Sequence, residues 1–270
     1  MEPALQRRVQ RYGWDKASSF YEPFWQEQLK PAQDLLLEMA AIQKEERILD
    51  IACGTGLVSF RALEQAPGGY LLGTDISEKM VALAASVATQ KGEARARFER
   101  MDAEELQVGS ESFDVVLCAL GLMYMPSPLK ALREMHRALV SGGKVVVAVW
   151  GERRLCGWAD IFEIVDRHVS SEVCPMFFNL GNPGALEINL RQAGFTHITT
   201  HRIQATLHYK DPKEALGAAF DGGPVALAYH KFNESVKEQV HGDYLTSIAR
   251  YKSGEGFDVP GEFVVARAEK

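Results

Sequence analysis

The sequence predicts an α/β fold with a doubly wound, mainly parallel sheet, on three observations. Apolar strand-like runs alternate with helical patterns from Arg47 to Trp150 at the spacing of βαβ units, whose right-handed crossovers build a parallel sheet. The run Phe113-Asp114-Val115-Val116-Leu117-Cys118 is almost continuously apolar, as a strand covered on both faces must be. The first strand leads through Asp50-Ile51-Ala52-Cys53-Gly54-Thr55-Gly56 into the helical Leu57-Val58-Ser59-Phe60. A strand, a tight loop and a helix N-terminus in that order bring a nucleotide-like ligand against bare backbone.

A chain of 270 residues, 46% apolar and 24% charged, has the composition of an ordinary soluble globular protein and can bury a sizeable core. Its net charge of −6 argues against phosphate neutralisation, so DNA is not expected as a partner and RNA is disfavoured. Local basic patches do occur, at Gln6-Arg7-Arg8 with Arg11 and at Arg95, Arg97 and Arg100. Cys53, Cys118, Cys156 and Cys174 include no Cys-x-x-Cys pair and no histidine at finger spacing, so no metal is expected. That usage fits a reducing compartment, and the expected location is cytoplasmic. The first eight residues lack a secretory apolar region, and no apolar stretch approaches the ~18 residues of a membrane span.

In order, residues 4–40 read as two or three helices, because Pro23 and Pro31 punctuate them. Trp14, Phe20, Tyr21, Phe24 and Trp25 crowd this segment and either pack it onto the core or line a pocket. Strands are expected at Arg47–Ile51, Tyr70–Asp75, Ala96–Met101, Phe113–Cys118 and Lys144–Trp150. Between them lie helices from about Gly56 to Gln65, after the N-cap Ser77, and from Leu129 to Leu139, the last stopped by Ser141-Gly142-Gly143. Beyond Trp150 the pattern changes. A helical stretch spans Trp158–Ser171, a helix Ala185–Ala193, a strand Thr196–Leu207, helical material Lys213–Phe220 and a further helix to about Tyr251, and a final strand Phe257–Ala268. The expected organisation is cap helices over 1–41, a ligand-binding core over 42–150 continued by 181–209 and 257–270, and two lid insertions over 151–180 and 210–256.

Ligands of such sheets sit at the carboxyl ends of the strands, where Cys53 to Gly56, Asp75, Asp102 and Cys118 to Tyr124 fall together. The residue three beyond Gly56 is Ser59, so the dinucleotide pattern is incomplete, and the Gly-Lys-Ser/Thr of a phosphate loop is absent. Asp50 would repel phosphate and attract a cation. Asp75 can accept from two ribose hydroxyls, and Asp102 with the Ala103 amide can read an adenine edge. The implied ligand is an adenosine that carries positive charge and lacks phosphates.

On these residues the chain resembles a class I S-adenosylmethionine-dependent methyltransferase, in the group that includes the ubiquinone and menaquinone methyltransferases. The likeness runs from Ile48 to Trp150. It rests on the glycine loop with Ala52 at the family's first Gly position, on Gly73-Thr74-Asp75-Ile76-Ser77 with Met80, on Asp102-Ala103-Glu104-Glu105-Leu106 through Phe113-Asp114, and on Glu134 to Gly143. The resemblance implies a Rossmann-like methyltransferase fold: a doubly wound, mainly parallel seven-stranded sheet with its last strand antiparallel, N-terminal helices and a helical lid. It implies S-adenosyl-L-methionine as cofactor. Asp75 would hold the ribose, with Gly54 and Gly56 shaping the loop. Ile76 and Met80 would pack the adenine, and Asp102 and Ala103 would read its edge. Ala52 and Cys118 would meet the amino-acid end beside Asp50, and Tyr21 would cover the methionyl group.

The donor is already activated, so the protein's task is alignment and exclusion of water. His136, His168, His230 and His241 offer no evident base, and the catalytic residue is unassigned. Trp14, Tyr124 and Trp150 are the expected acceptor contacts. Apolar Gly121–Met125 and Met176-Phe177-Phe178 suggest a small, partly hydrophobic acceptor: a quinone-like phenol, a lipid or a secondary metabolite, methylated on O, N or C. A cofactor-binding protein without transfer activity is the alternative from another class, and an RNA methyltransferase, disfavoured by the acidic balance, is a third reading.

Overall fold

In the computed structural model, which describes residues 2–169, 174 and 176–270, the strand–helix alternation becomes one sheet flanked by helices. The strands are β1 (Arg47–Ile51), β2 (Tyr70–Asp75), β3 (Ala96–Arg100), β4 (Phe113–Ala119), β5 (Leu139–Trp150), β6 (Thr196–Tyr209), β7 (Lys252–Ser253) and β8 (Gly256–Glu269). The helices are α1 (Pro3–Ala40), α2 (Leu57–Gln65), α3 (Glu78–Lys91), α4 (Pro128–Ala138), α5 (Ile161–Asp166), α6 (Ala185–Gln192), α7 (Pro212–Leu216), α8 (Ala226–Tyr229) and α9 (Glu234–Ile248). The strand order is β3-β2-β1-β4-β5-β8-β6. The first five strands pair in parallel, and β8 runs antiparallel to both β5 and β6. The seven long strands therefore carry one reversal, at the last of them.

β1 lies between β2 and β4, so the chain winds outward from it in both directions. Loops leaving the carboxyl ends of β1 and β4 there diverge and open a crevice, the switch point at which such sheets bind ligands. Ile48, Leu49, Val115, Val116 and Val145–Val149 are buried in the centre of the sheet. Arg47 fixes the opposite end of the same strand pair. Its backbone N–H and Nε donate to Asp114 Oδ2, each at 2.8 Å, and its guanidinium donates again to Oδ1 at 2.9 Å.

Four details differ from the sequence expectation. The two or three cap helices are one helix of 38 residues that contains Pro23 and Pro31. Each proline deletes a backbone donor at a cost of about 3 kcal/mol. Against that, Trp25, Leu29, Leu36 and Leu37 are buried along the same stretch, each leucine contributing about 1.5–3 kcal/mol. Gln28, between the prolines, adds a two-way bond to β6: its amide donates to the His208 carbonyl at 2.6 Å and its Oε1 accepts from the His208 N–H at 3.0 Å. Second, β5 begins at Leu139 and carries Ser141-Gly142-Gly143 within it. The register against β4 shifts between Phe113 and Val115, and Gly142 takes φ +74, so the glycines make a bulge instead of a stop. Third, the helical stretch expected over Trp158–Ser171 is helical at Ile161–Asp166, and Ser170 and Ser171 lie outside the described residues. Fourth, the material at Lys213–Phe220 splits into α7 and a π-helical turn, Gly217–Asp221. The added β7 is two residues turned back onto β8 through Gly254. Among the described residues no helix is long and apolar enough to cross a membrane.

Leu36 is fully buried on α1 against the sheet. Leu36→Ala should lower the unfolding free energy by about 2–5 kcal/mol, read from denaturant midpoints at an unchanged m-value. A loss below about 1 kcal/mol would show that this half of α1 is not integral to the core.

Candidate cofactor and acceptor site

Four loop segments at the carboxyl edge of the sheet and the first half of α1 enclose one pocket. Asp75, the last residue of β2, is organised by backbone. Its Oδ2 accepts from the Gly54 N–H at 3.0 Å and its Oδ1 from the Ser77 N–H at 2.8 Å. Burial still raises its carboxyl pKa to about 6, with these two bonds pulling the other way. Met80, in the first turn of α3, is buried, and its N–H donates to the Ser77 Oγ at 3.1 Å. Asp15 on α1 reaches the same helix start: it accepts from the Ser77 hydroxyl at 2.7 Å and from the Lys79 N–H at 3.1 Å.

The glycine loop turns through left-handed backbone at Ala52 (φ +55), Gly54 (φ +55) and Gly56 (φ +92). Ala52, at the first position of the glycine pattern, is the residue there for which this conformation is unfavourable. Across the crevice, Leu120 at the end of β4 also takes a positive φ, +61. The next residue, Gly121, has no room for a side chain, since a Cβ there would fall 2.3 Å from that of Ala52. The methyl of Ala52 is thus accommodated by the missing methyl of Gly121.

Asp50 stands beneath the loop, 1% exposed. Its Oδ2 accepts from the Ser59 hydroxyl at 2.5 Å, and its Oδ1 is buried with no partner. Burial raises its pKa to about 7, against the Ser59 bond, with the charge of Asp75 adding to the rise.

Tyr21, Trp14, Gln10 and Arg7 roof the pocket along α1. Trp14 meets Tyr21 and Tyr124 edge to face at 5.8 and 5.2 Å. The Arg7 guanidinium donates to the buried Glu104 Oε2 at 2.6 Å, and its Nε stands 2.9 Å from Asp102 Oδ2. Glu104 also accepts from the Ser127 N–H, so one carboxylate ties α1 to the loops after β3 and β4. Burial raises the phenol pKa of both Tyr21 and Tyr124.

Of the residues singled out in the sequence, Tyr21, Ala52, Gly54, Asp75, Ile76, Met80, Asp102 and Ala103 line this pocket together with Trp14 and Tyr124. Asp50, Gly56 and Cys118 do not line it; Trp150 lines a small adjoining cavity with Trp14, Tyr21 and Tyr124. His136, His168, His230 and His241 line neither. Sequence reasoning gave Gln10 and Trp158 no site role, read Arg7 only as part of a basic patch, and named Trp25 and Gly121 only within the aromatic cluster of residues 14–25 and the apolar run Gly121–Met125. For Arg7 the partners are 95 and 97 residues away in the chain, and no local pattern marks them. For the tryptophans the available signal was their small number, four in the whole chain.

Two measurements test this geometry. Gly121→Ala should cost about 1–3 kcal/mol in stability by overpacking, and Ala52→Gly should restore most of it in the double variant. Additive losses would place the two residues out of contact. Asp50 is more readily protonated folded than unfolded, so between about pH 4 and pH 7 the folded chain binds the extra proton and stability falls as pH rises. Asp50→Asn keeps the shape without the charge and should flatten that part of a thermal-unfolding profile. A variant that declines in parallel with the wild type would show that the slope has another source.

Comparison with known proteins agrees with the geometry. A family model described as a methyltransferase domain matches residues 42–172. The demethylmenaquinone methyltransferase of Listeria monocytogenes is 30% identical over 134 residues, 49% of this chain and 56% of that protein. Its namesake in Thermus thermophilus is 39% identical over 116 residues, 43% of this chain and 50% of that protein. The chain thus spans about half the length of the curated relatives it matches. Among solved structures, the YcgJ protein of Bacillus subtilis superposes with a TM-score of 0.64 at 18% identity, covering 89% of this chain and 98% of that one. Phosphoethanolamine N-methyltransferase 2 of Haemonchus contortus, solved with S-adenosylhomocysteine, superposes at 0.61 and 21% identity, covering 95% and 57%. Residues 42–172, just under half of the chain, thus match a methyltransferase domain, and over that stretch the chain is similar to the methyltransferases named above.

Proposed function

We propose that the protein transfers a methyl group from S-adenosylmethionine to a small, partly hydrophobic acceptor. The observation that carries the reading is the charge of the pocket wall. Asp75 ends β2 and Asp102 lies in the loop just past the adjacent β3, and Arg7, the one cationic side chain among the described lining residues, is held by Asp102 and Glu104. A pyrophosphate would meet carboxylates and no free cation, whereas a cationic, phosphate-free adenosine is suited to them. The bare backbone at Gly54 and the unpartnered Asp50 Oδ1 behind it fit such a ligand.

In this reading Asp75 holds the ribose hydroxyls, Ile76 and Met80 pack the adenine, and Asp102 with the Ala103 amide reads its edge. The backbone at Ala52 and Cys118, near Asp50, meets the amino-acid end, and Tyr21 covers the methionyl group. The bound cofactor supplies an electrophilic methyl on a sulfonium. The chain's part is to align that methyl with the nucleophile at about 3–3.5 Å and to exclude water. Tyr21 and Trp14 present aromatic faces that favour a cation. With the phenols of Tyr21 and Tyr124 held protonated by burial, the acceptor must bring its own nucleophilic lone pair. The names of the curated relatives make a quinone-like ring the leading acceptor, beside lipids and secondary metabolites. The same shortage of a base favours a second reading, cofactor binding without transfer.

Calorimetric titration with S-adenosylmethionine and with NAD decides the cofactor: tighter binding of NAD would sink both readings. Release of S-adenosylhomocysteine with a panel of phenols and amines then separates them, since binding without release supports the second. Asp75→Ala should weaken S-adenosylhomocysteine binding by about 1–3 kcal/mol, the scale of lost hydrogen bonds to a charged group. An unchanged affinity in that titration would remove Asp75 from the ribose.

A further inference from the structure

All four tryptophans of the chain meet at one place. Trp14 and Trp25 come from α1, Trp150 from the end of β5 and Trp158 from the turn before α5, and together they line a cavity of about 30 Å3. Trp25, Trp150 and Trp158 touch edge to face, with centroids 4.7 to 6.2 Å apart. Four walls of this cavity, Trp14, Tyr21, Leu120 and Tyr124, are also walls of the cofactor pocket. On the methyl-transfer reading, on which this inference rests, the box lies at the transferring end of the cofactor.

An aromatic box can hold a cation against ring faces or hold a flat ring between them. Two observations choose. No charged side chain lines the box among the described residues, so a phosphate or carboxylate would be desolvated there without a counter-charge. The Trp158 Nε1 is buried with no hydrogen-bond partner, in a residue 3% exposed, while the neighbouring Trp25 Nε1 donates to the Ala218 carbonyl at 3.2 Å. An orphaned donor is satisfied by an oxygen and gains nothing from an ammonium, which brings no acceptor.

We propose that this box is the acceptor subsite, that it takes a neutral, oxygen-bearing aromatic ring of the phenol or hydroquinone class, and that Trp158 is the positioning residue whose Nε1–H fixes the ring by its oxygen. The ring faces pack against the indoles. As it stands the box has room for one or two waters, so a ring enters only with a wall displaced. The ring displaces the Gly223-Pro224 wall, which carries no long side chain and follows the π-helical turn.

The test uses the full chain saturated with S-adenosylhomocysteine and three probes: 2-naphthol, naphthalene and trimethylphenylammonium. Naphthol should bind at least about tenfold tighter than either other probe, the scale of one hydrogen bond to an orphaned donor. It alone should move one of the four indole N–H proton resonances downfield. Trp158→Phe should abolish that resonance and bring naphthol to within about threefold of naphthalene, with S-adenosylhomocysteine affinity unchanged. Trp158→Tyr provides the same assignment if the Phe variant does not fold. Tightest binding by the ammonium, equal binding of naphthol and naphthalene, or a preference that survives loss of the indole would each overturn the proposal. Failure of S-adenosylhomocysteine to bind would overturn the methyl-transfer reading, and the probe ranking on the unliganded chain would still judge the box.

Discussion

Burial of α1 against the carboxyl half of the sheet is the interaction on which the site depends. At 1.5 Å per residue its 38 residues span about 57 Å, so one rigid element reaches from the core to the crevice. Its second half contributes Leu29, Leu36 and Leu37 to the core, and its first half places Arg7, Trp14 and Tyr21 over the pocket. A pocket wall on a separate mobile segment would pay an ordering entropy at each binding event; here folding has already met it. Asp15 at the start of α3, and Arg7 on Asp102 and Glu104, hold the roof laterally.

The loops beneath that roof hold strain that the rest of the fold supports. Ala52 and Leu120, in the loops after β1 and β4, both take left-handed backbone, a conformation costing roughly 1–2 kcal/mol for a residue with a Cβ. They are held there by strands on both sides, buried at Ile48, Leu49, Val115 and Val116. Such strain at a strand end, supported by a packed sheet, is the usual signature of backbone arranged for a ligand. The buried carboxylates are a second store. Asp50 and Asp75 are kept in an environment that disfavours their charge, so a cation brought near them recovers part of that cost.

The sheet and its parallel order were legible because period and punctuation are local: Val-rich runs, Pro67-Gly68-Gly69, the Ser77 cap; its one reversed strand was implied by the family resemblance alone. The carboxylates at the strand ends were legible for the same reason. The continuity of α1 was not, because Pro23 and Pro31 are local signals of a break, while Gln28 on His208 and Trp25 on Ala218 are contacts at separations of 180 and 193 residues. The dependence of Gly121 on Ala52 was hidden likewise, since each looks ordinary until their Cβ positions coincide across the crevice. The aromatic box needed both limits overcome, as its tryptophans come from three elements that only the closed sheet brings together.

Trp14, Tyr21, Leu120 and Tyr124 each face both the cofactor pocket and the aromatic box. Two ligands that share four side chains as a common partition cannot bind independently. Whatever free energy the first spends in setting those rings is not spent again by the second, and the resulting coupling is the same in either order of binding. On the proposed reading, the partition makes the affinity of the box for its ring depend on whether the cofactor pocket is occupied.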